Sequence, residues 1–183
     1  MGEIRSIAVY CGASDRVDEA YLEAAWSFGE LLARRGITVV YGGGDVGLMG
    51  RLANGALSAG GEVIGVITEQ LQILEVGHSG LTELLVVQTM SERKTAMSAR
   101  ADAVVALPGG WGTLEELFEV VTWTQLEIYN KPAGLLDIKG YFKHLDAFLD
   151  HATTEGFIRP SHRSLLQTAS DPEELLDRLM RAL

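Results

Sequence analysis

The chain has 183 residues, 47% of them apolar and 22% charged, with a formal net charge of −10. That composition belongs to a globular protein, and the length suits one nucleotide-binding domain over residues 1–183 with a single core. The acidic balance argues against nucleic acid, which calls for a basic footprint; one small nucleotide needs only a few local cations and backbone N–H groups. A single cysteine, Cys11, excludes an intrachain disulfide and fits a reducing, cytoplasmic setting. No apolar run approaches the ~18 residues of a membrane span. The N-terminus is expected to enter a strand directly, without a signal peptide's apolar core.

In chain order, Ser6 to Cys11 reads as a buried strand and residues 18–35 as a helix ended by Gly36. Ile37 to Tyr41 is a second strand, followed by a glycine run and a helix over 46–59 that stops at Gly60-Gly61. A third strand spans Glu62 to Ile67, a loop-rich segment covers 69–82, and a fourth strand runs from Leu84 to Gln88. A helix over 91–100 precedes the fifth strand, Ala103 to Leu107; a second glycine loop and a helix to about 127 follow. Ala133 to Leu136 is the sixth strand. A helix over 140–155, a short apolar run at 165–169 and a helix capped by Asp171-Pro172 complete the order. Strand–helix alternation with continuously apolar strands predicts a Rossmann-like, doubly wound α/β domain whose mainly parallel sheet is covered on both faces.

In such sheets ligands sit outside the carboxyl ends of the strands. Three unusual loops fall there: Cys11-Gly12-Ala13-Ser14, Gly42 to Gly47, and Pro108 to Thr113. All three are expected to open onto one edge. Gly42-Gly43-Gly44-Asp45-Val46-Gly47 matches G-x-G-x-x-G between a strand and a helix, with Glu69 placed as a ribose-binding acid would be. An NAD site, a phosphate contact at Gly43 and Gly44, and a tight packing turn all fit that loop.

Pro108-Gly109-Gly110-Trp111-Gly112-Thr113 is sharper, because its glycines can present N–H groups to an anion and a helix begins at once. Glu116 in that helix has two readings. Thr113-x-x-Glu116 has the form of a capping box, and a carboxylate beside a phosphate loop can also be a catalyst. Trp111 suits packing or a lid. If Ser91 caps the preceding helix, Arg93 and Lys94 fall in its first turn, where the dipole disfavours cations. That placement points to an anionic ligand or a carboxylate partner. The four histidines show no metal-ligand spacing, Cys11 has no nameable base, and no G-x-S-x-G element is present.

With these residues in view, the chain resembles the LOG family, the cytokinin riboside 5′-monophosphate phosphoribohydrolases long labelled lysine decarboxylase-like. The resemblance runs through Tyr10-Cys11-Gly12, Tyr41 to Gly44 with Gly47 to Gly50, and Met90 to Met97 with its Arg93-Lys94. It continues through Pro108-Gly109-Gly110-x-Gly112-Thr113-x-x-Glu116 and Lys131-Pro132-x-Gly134-Leu135-Leu136, covering about residues 5–165. The resemblance implies hydrolysis of the N-glycosidic bond of an N6-modified adenosine 5′-monophosphate, with Arg93 and Glu116 as the catalytic pair. It implies that Glu75, Lys94, Gly110, Gly112, Thr113 and Thr122 line the nucleotide site, with Gly109 in the same loop, and that the protein is a homodimer needing no metal or other cofactor. A decarboxylase would need an electron sink, and no lysine is recognisably placed for one. Ser91 stands where the family commonly has histidine, and Thr68 where proline usually follows the third strand. A nucleotide-binding module without catalysis and an NAD-dependent enzyme using the 42–47 glycine loop are the remaining alternatives.

Overall fold

The computed structural model describes residues 3–74 and 77–183. Along β1 (Ser6–Tyr10) successive side chains alternate between faces, so Ile7 and Val9 enter one hydrophobic cluster while Ala8 and Tyr10 enter another. Burial on both faces is why the strand is apolar throughout instead of alternating with polar residues. The same logic builds β2 (Thr38–Tyr41), β3 (Val63–Thr68), β5 (Ala103–Ala106) and β6 (Ala133–Leu136), with β4 (Glu83–Val87) and β7 (Leu166–Ala169) at the edges. The strands pair in the order β4-β3-β2-β1-β5-β6-β7, every pair parallel. The apolar run expected at 165–169 is itself a strand, β7, with Leu166 opposite Ala133.

Helices α1 (Glu19–Arg34), α2 (Gly47–Ser58) and α8 (Pro172–Arg181) cover the Ile7–Val9 face. The opposite face carries α4 (Met90–Ala99), α5 (Trp111–Gln125) and α6 (Lys143–Thr154). α1 and α2 meet backbone to backbone: a Cβ on Gly29 would lie 2.2 Å from the Leu52 carbonyl, and one on Gly55 2.2 Å from that of Trp26. Two short helices were not anticipated. α3 (Glu69–Leu74) occupies part of the segment expected to be loop, and α7 (Pro160–Arg163) opens with proline at its first turn. Thr68 explains α3, because its Oγ1 accepts the Leu71 N–H at 3.2 Å as a cap would. Proline there would offer no such oxygen.

The chain steps outward from β1 to β4, then crosses back through α4 to lay β5 on the other flank of β1. That reversal opens a crevice above the carboxyl ends of β1 and β5. The two loops leaving it are tied together by the Gly12 N–H donating to the Pro108 carbonyl at 3.0 Å.

Candidate active site

The helix N-termini differ in how their free N–H groups are answered. Asp18 caps α1, Asp171 caps α8, and Thr89 caps α4, with the Glu92 carboxylate bonding the Gln88 N–H at 2.9 Å. The cap of α4 is therefore Thr89, not Ser91, which sits exposed in the first turn. At α2 the Gly47 N–H donates to Asp15 Oδ1 at 2.8 Å. Gly47 has φ +64°, and a Cβ there would lie 2.5 Å from the Ser14 nitrogen, so only glycine lets this turn close on the β1 loop. α5 is different: it starts after Gly110 with no side-chain cap and no acidic residue in its first turn. Its positive end faces the crevice. Thr113 lies inside the helix rather than at its cap, which removes the capping-box reading of Glu116.

Glu116 instead meets Arg93. Arg93 Nη1 donates to Glu116 Oε1 at 3.0 Å, Nη2 to the Gly42 carbonyl at 3.1 Å, and Nε to the Val66 carbonyl at 2.9 Å. The two side chains are only 7% and 10% exposed. A buried charge pair is a weak stabiliser at best, since desolvation offsets the attraction, so its presence calls for another reason. Gly42 belongs to this geometry: a Cβ on it would stand 2.2 Å from Arg93 Nη2.

The pair forms part of the wall of a cavity of about 240 Å³. Gly12 and Ala13 from the β1 loop, Gly42 from the β2 loop, and Gly110, Gly112 and Thr113 from the start of α5 also line it, with Met49 and Met97. The three loops do converge on one edge. Gly110 and Gly112 stand out because a Cβ on either would meet nothing within 4 Å, and neither has positive φ. Packing does not require glycine there, and bare backbone at a helix N-terminus is what an anion can approach. Gly109 is glycine for an internal reason, since its Cβ would lie 2.1 Å from Thr113 Oγ1. Tyr10, also on the wall, is kept neutral: burial first, then the Glu116 and Glu119 carboxylates, push its phenol well above the ordinary value.

Other expected site residues lie elsewhere. Lys94 donates to Glu115 at 2.5 Å and to Glu119 at 3.0 Å, clasping α4 to α5 outside the cavity wall. Burial works against its charge, but those two hydrogen bonds win and its pKa is raised. Thr122 is exposed, its hydroxyl donating to the Phe118 carbonyl at 2.6 Å. Glu75 lies outside the described residues. Gly43 and Gly44 do not reach the cavity: their carbonyls accept from the His78 N–H (3.0 Å) and the Tyr41 hydroxyl (3.1 Å). The dinucleotide arrangement is also disfavoured, because Asp15 holds the Gly47 N–H and Glu69 bonds the Gln88 side chain at 2.9 Å. Trp111 is 90% exposed, so it is not a packing residue. Cys11 is half-buried on the cavity wall. Among the described residues no group of three or more His, Cys, Asp or Glu side chains could hold a metal, and no helix is long and apolar enough to cross a membrane. Gly42, Met49 and Met97 were not singled out from sequence. The Arg93–Gly42 contact spans 51 positions, and only the sheet order reveals it.

A family model described as "Possible lysine decarboxylase" matches residues 49–179. The chain is 47% identical over 175 residues to "Probable cytokinin riboside 5′-monophosphate phosphoribohydrolase LOGL9" of Oryza sativa subsp. japonica, covering 96% of this chain and 77% of that protein. It is 43% identical over 177 residues to cytokinin riboside 5′-monophosphate phosphoribohydrolase LOG1 of Arabidopsis thaliana, covering 97% and 83%. Among solved structures, the molybdenum cofactor carrier protein of Chlamydomonas reinhardtii superposes with a TM-score of 0.73 at 21% identity, covering 98% of both chains, which is a likeness of fold. With the glycine loop, the buried Arg93–Glu116 pair and these relatives together, the chain belongs to the LOG family of phosphoribohydrolases.

Proposed function

We propose that this protein hydrolyses the N-glycosidic bond of adenosine 5′-monophosphates, N6-modified ones included, releasing the free base and ribose 5-phosphate. The observation that carries this reading is the pairing, across one cavity, of two glycines that packing does not need with a buried arginine–carboxylate pair. The N–H end of α5 takes the 5′-phosphate, and Gly110 and Gly112 leave it room. Anchoring the phosphate places the ribose beside Glu116 and lends remote binding energy to the reaction.

Cleavage builds positive charge on C1′ as the C1′–N bond breaks and its electron pair leaves with the base. The Glu116 carboxylate stabilises that charge and accepts a proton from the water whose oxygen bonds to C1′. The proton is then available to the departing base. Arg93, held by two backbone carbonyls, aims the carboxylate and sets a positive charge beside it. The same reading takes residues 1–183 as one working domain, active as a homodimer in the cytoplasm. Exposed Leu126 and Ile128 at the end of α5, with Phe148 on α6, support association.

The direct test is to incubate the protein with AMP and with N6-isopentenyl-AMP and assay ribose 5-phosphate. Release from either substrate, lost in Glu116→Gln, is the expected result. No release from both, or full rate in the variant, would end the assignment. Sedimentation at micromolar concentration tests the dimer.

A further inference from the structure

Beyond the glycine loop lies a second cavity, of about 430 Å³. Val17, Tyr21, Leu48, Pro108 and Tyr141 form its apolar and aromatic walls, and no charged side chain lines it. Tyr21 and Tyr141 meet edge to face at 5.9 Å, and the Tyr141 hydroxyl donates to the Gly109 carbonyl at 2.6 Å, so the chamber has fixed aromatic walls. Lys139, whose Nζ lies 5.8 Å from the centre of the Tyr21 ring, is paired with Asp18.

The position of this chamber gives it a direction. It shares Gly12, Ala13 and Gly110 with the catalytic cavity, whereas Arg93, Glu116 and Met97 line the catalytic cavity alone. The shared walls thus lie at the N-terminal end of α5, and neither member of the Arg93–Glu116 pair lines the chamber. Under the function proposed above, on which this inference rests, the phosphate occupies the loop and the base departs on the Glu116 side. The chamber therefore adjoins the phosphate, not the base. At about 240 Å³ the catalytic cavity is also smaller than the ~300–1,000 Å³ of ordinary small-molecule sites.

We propose that the Tyr21–Tyr141 chamber is a subsite for an uncharged aromatic or apolar group esterified to the 5′-phosphate, so that the protein binds nucleoside 5′-phosphodiesters as well as 5′-monophosphates. No charged side chain lines the chamber to pair with a second phosphate, whereas a ring would find apolar walls and the Tyr21 and Tyr141 rings.

Adenosine 5′-(phenyl phosphate) and adenosine 5′-(methyl phosphate) carry equal charge and differ only in what they offer the chamber. Calorimetric titration of the full chain with each is the test. The phenyl ester is expected to bind about tenfold more tightly or better, the gain from burying one ring. Val17→Trp fills the chamber from a side chain that is 38% exposed and should bring the phenyl-to-methyl ratio towards one. Retained binding of the methyl ester shows that the variant is folded. A wild-type ratio near one overturns the subsite even if AMP is hydrolysed. So does a Val17→Trp protein that loses N6-isopentenyl-AMP relative to AMP, because the base would then occupy the chamber. A phenyl preference abolished by Val17→Trp, in a protein that releases base from no monophosphate, supports the subsite and sinks the hydrolase reading alone.

Discussion

Arg93 and Glu116 meet at 3.0 Å on two helices that never touch in sequence, and Arg93 is held to the sheet by carbonyls of β3 and the β2 loop. The carboxylate is therefore positioned by the sheet through the guanidinium. Replacing Glu116 with Gln keeps an acceptor for Arg93 but removes the charge, so base release should fall by about 10²–10⁴-fold, with a smaller loss of stability than removal of Arg93. Arg93→Ala removes the guanidinium from a buried carboxylate and from two backbone carbonyls and should cost about 3–5 kcal/mol of stability. Rates and thermal melts of the two variants separate these effects; equal destabilisation would contradict the division of labour.

Gly42→Ala should act at a distance. The added methyl would sit 2.2 Å from Arg93 Nη2, the end of a flexible side chain, so the guanidinium is displaced rather than the backbone. A shift of about 1 Å in a catalytic group can cost about 10²-fold in rate. We expect kcat to fall while the fold survives, and a wild-type kcat would show that Arg93 does not need its present place.

The glycines of the α5 loop should divide. Gly110→Ala and Gly112→Ala meet nothing inside the protein, so their stability should change by no more than about 1 kcal/mol while KM for AMP rises about tenfold or more. Gly109→Ala would stand 2.1 Å from Thr113 Oγ1 and should destabilise the protein itself. Unchanged KM in the first pair would remove the phosphate from this loop.

Asp102 sets an acid dependence of stability. Burial would raise its pKa, but hydrogen bonds from the Arg5 and Ser6 N–H groups and the Ser6 hydroxyl prevail, with help from Lys131, and hold it below the ordinary range. A depressed folded value means the stabilisation is complete above the unfolded pKa of about 3.9 and is lost as pH falls through the folded one. Asp102→Ala should cost about 1 kcal/mol near neutrality, solvent screening included. Denaturant melts should show that gap closing below about pH 4, and a gap that widens in acid would contradict the sign.

Much of this architecture was legible in the residues themselves. Buried strands such as Ala103 to Ala106 have no competing pattern, and glycine punctuates nearly every turn between them. The Arg93-Lys94 dipeptide looked misplaced on a helix dipole, and half of that oddity was informative: both residues do have carboxylate partners, Glu116 for one, Glu115 and Glu119 for the other. Sequence spacing could not tell which of them faces the cavity, because that depends on the rotation of α4 against β3. Nor could it show that the Gly47 N–H is already taken, since Asp15 reaches it from 32 residues away. The helix at 69–74 was hidden for a local reason, its cap being the last residue of the strand before it.

That aspartate has a further consequence. Each glycine loop opens a helix with backbone N–H groups, but at α2 the protein has supplied its own plug, the Asp15 carboxylate on the Gly47 N–H. Inorganic phosphate or sulfate added to the medium thus has one socket to fill rather than two. Occupancy should saturate at one site per chain at the mouth of α5. In Asp15→Ala, which frees the Gly47 N–H, a second, weaker site should appear, as the same turn becomes open to whatever the solvent offers.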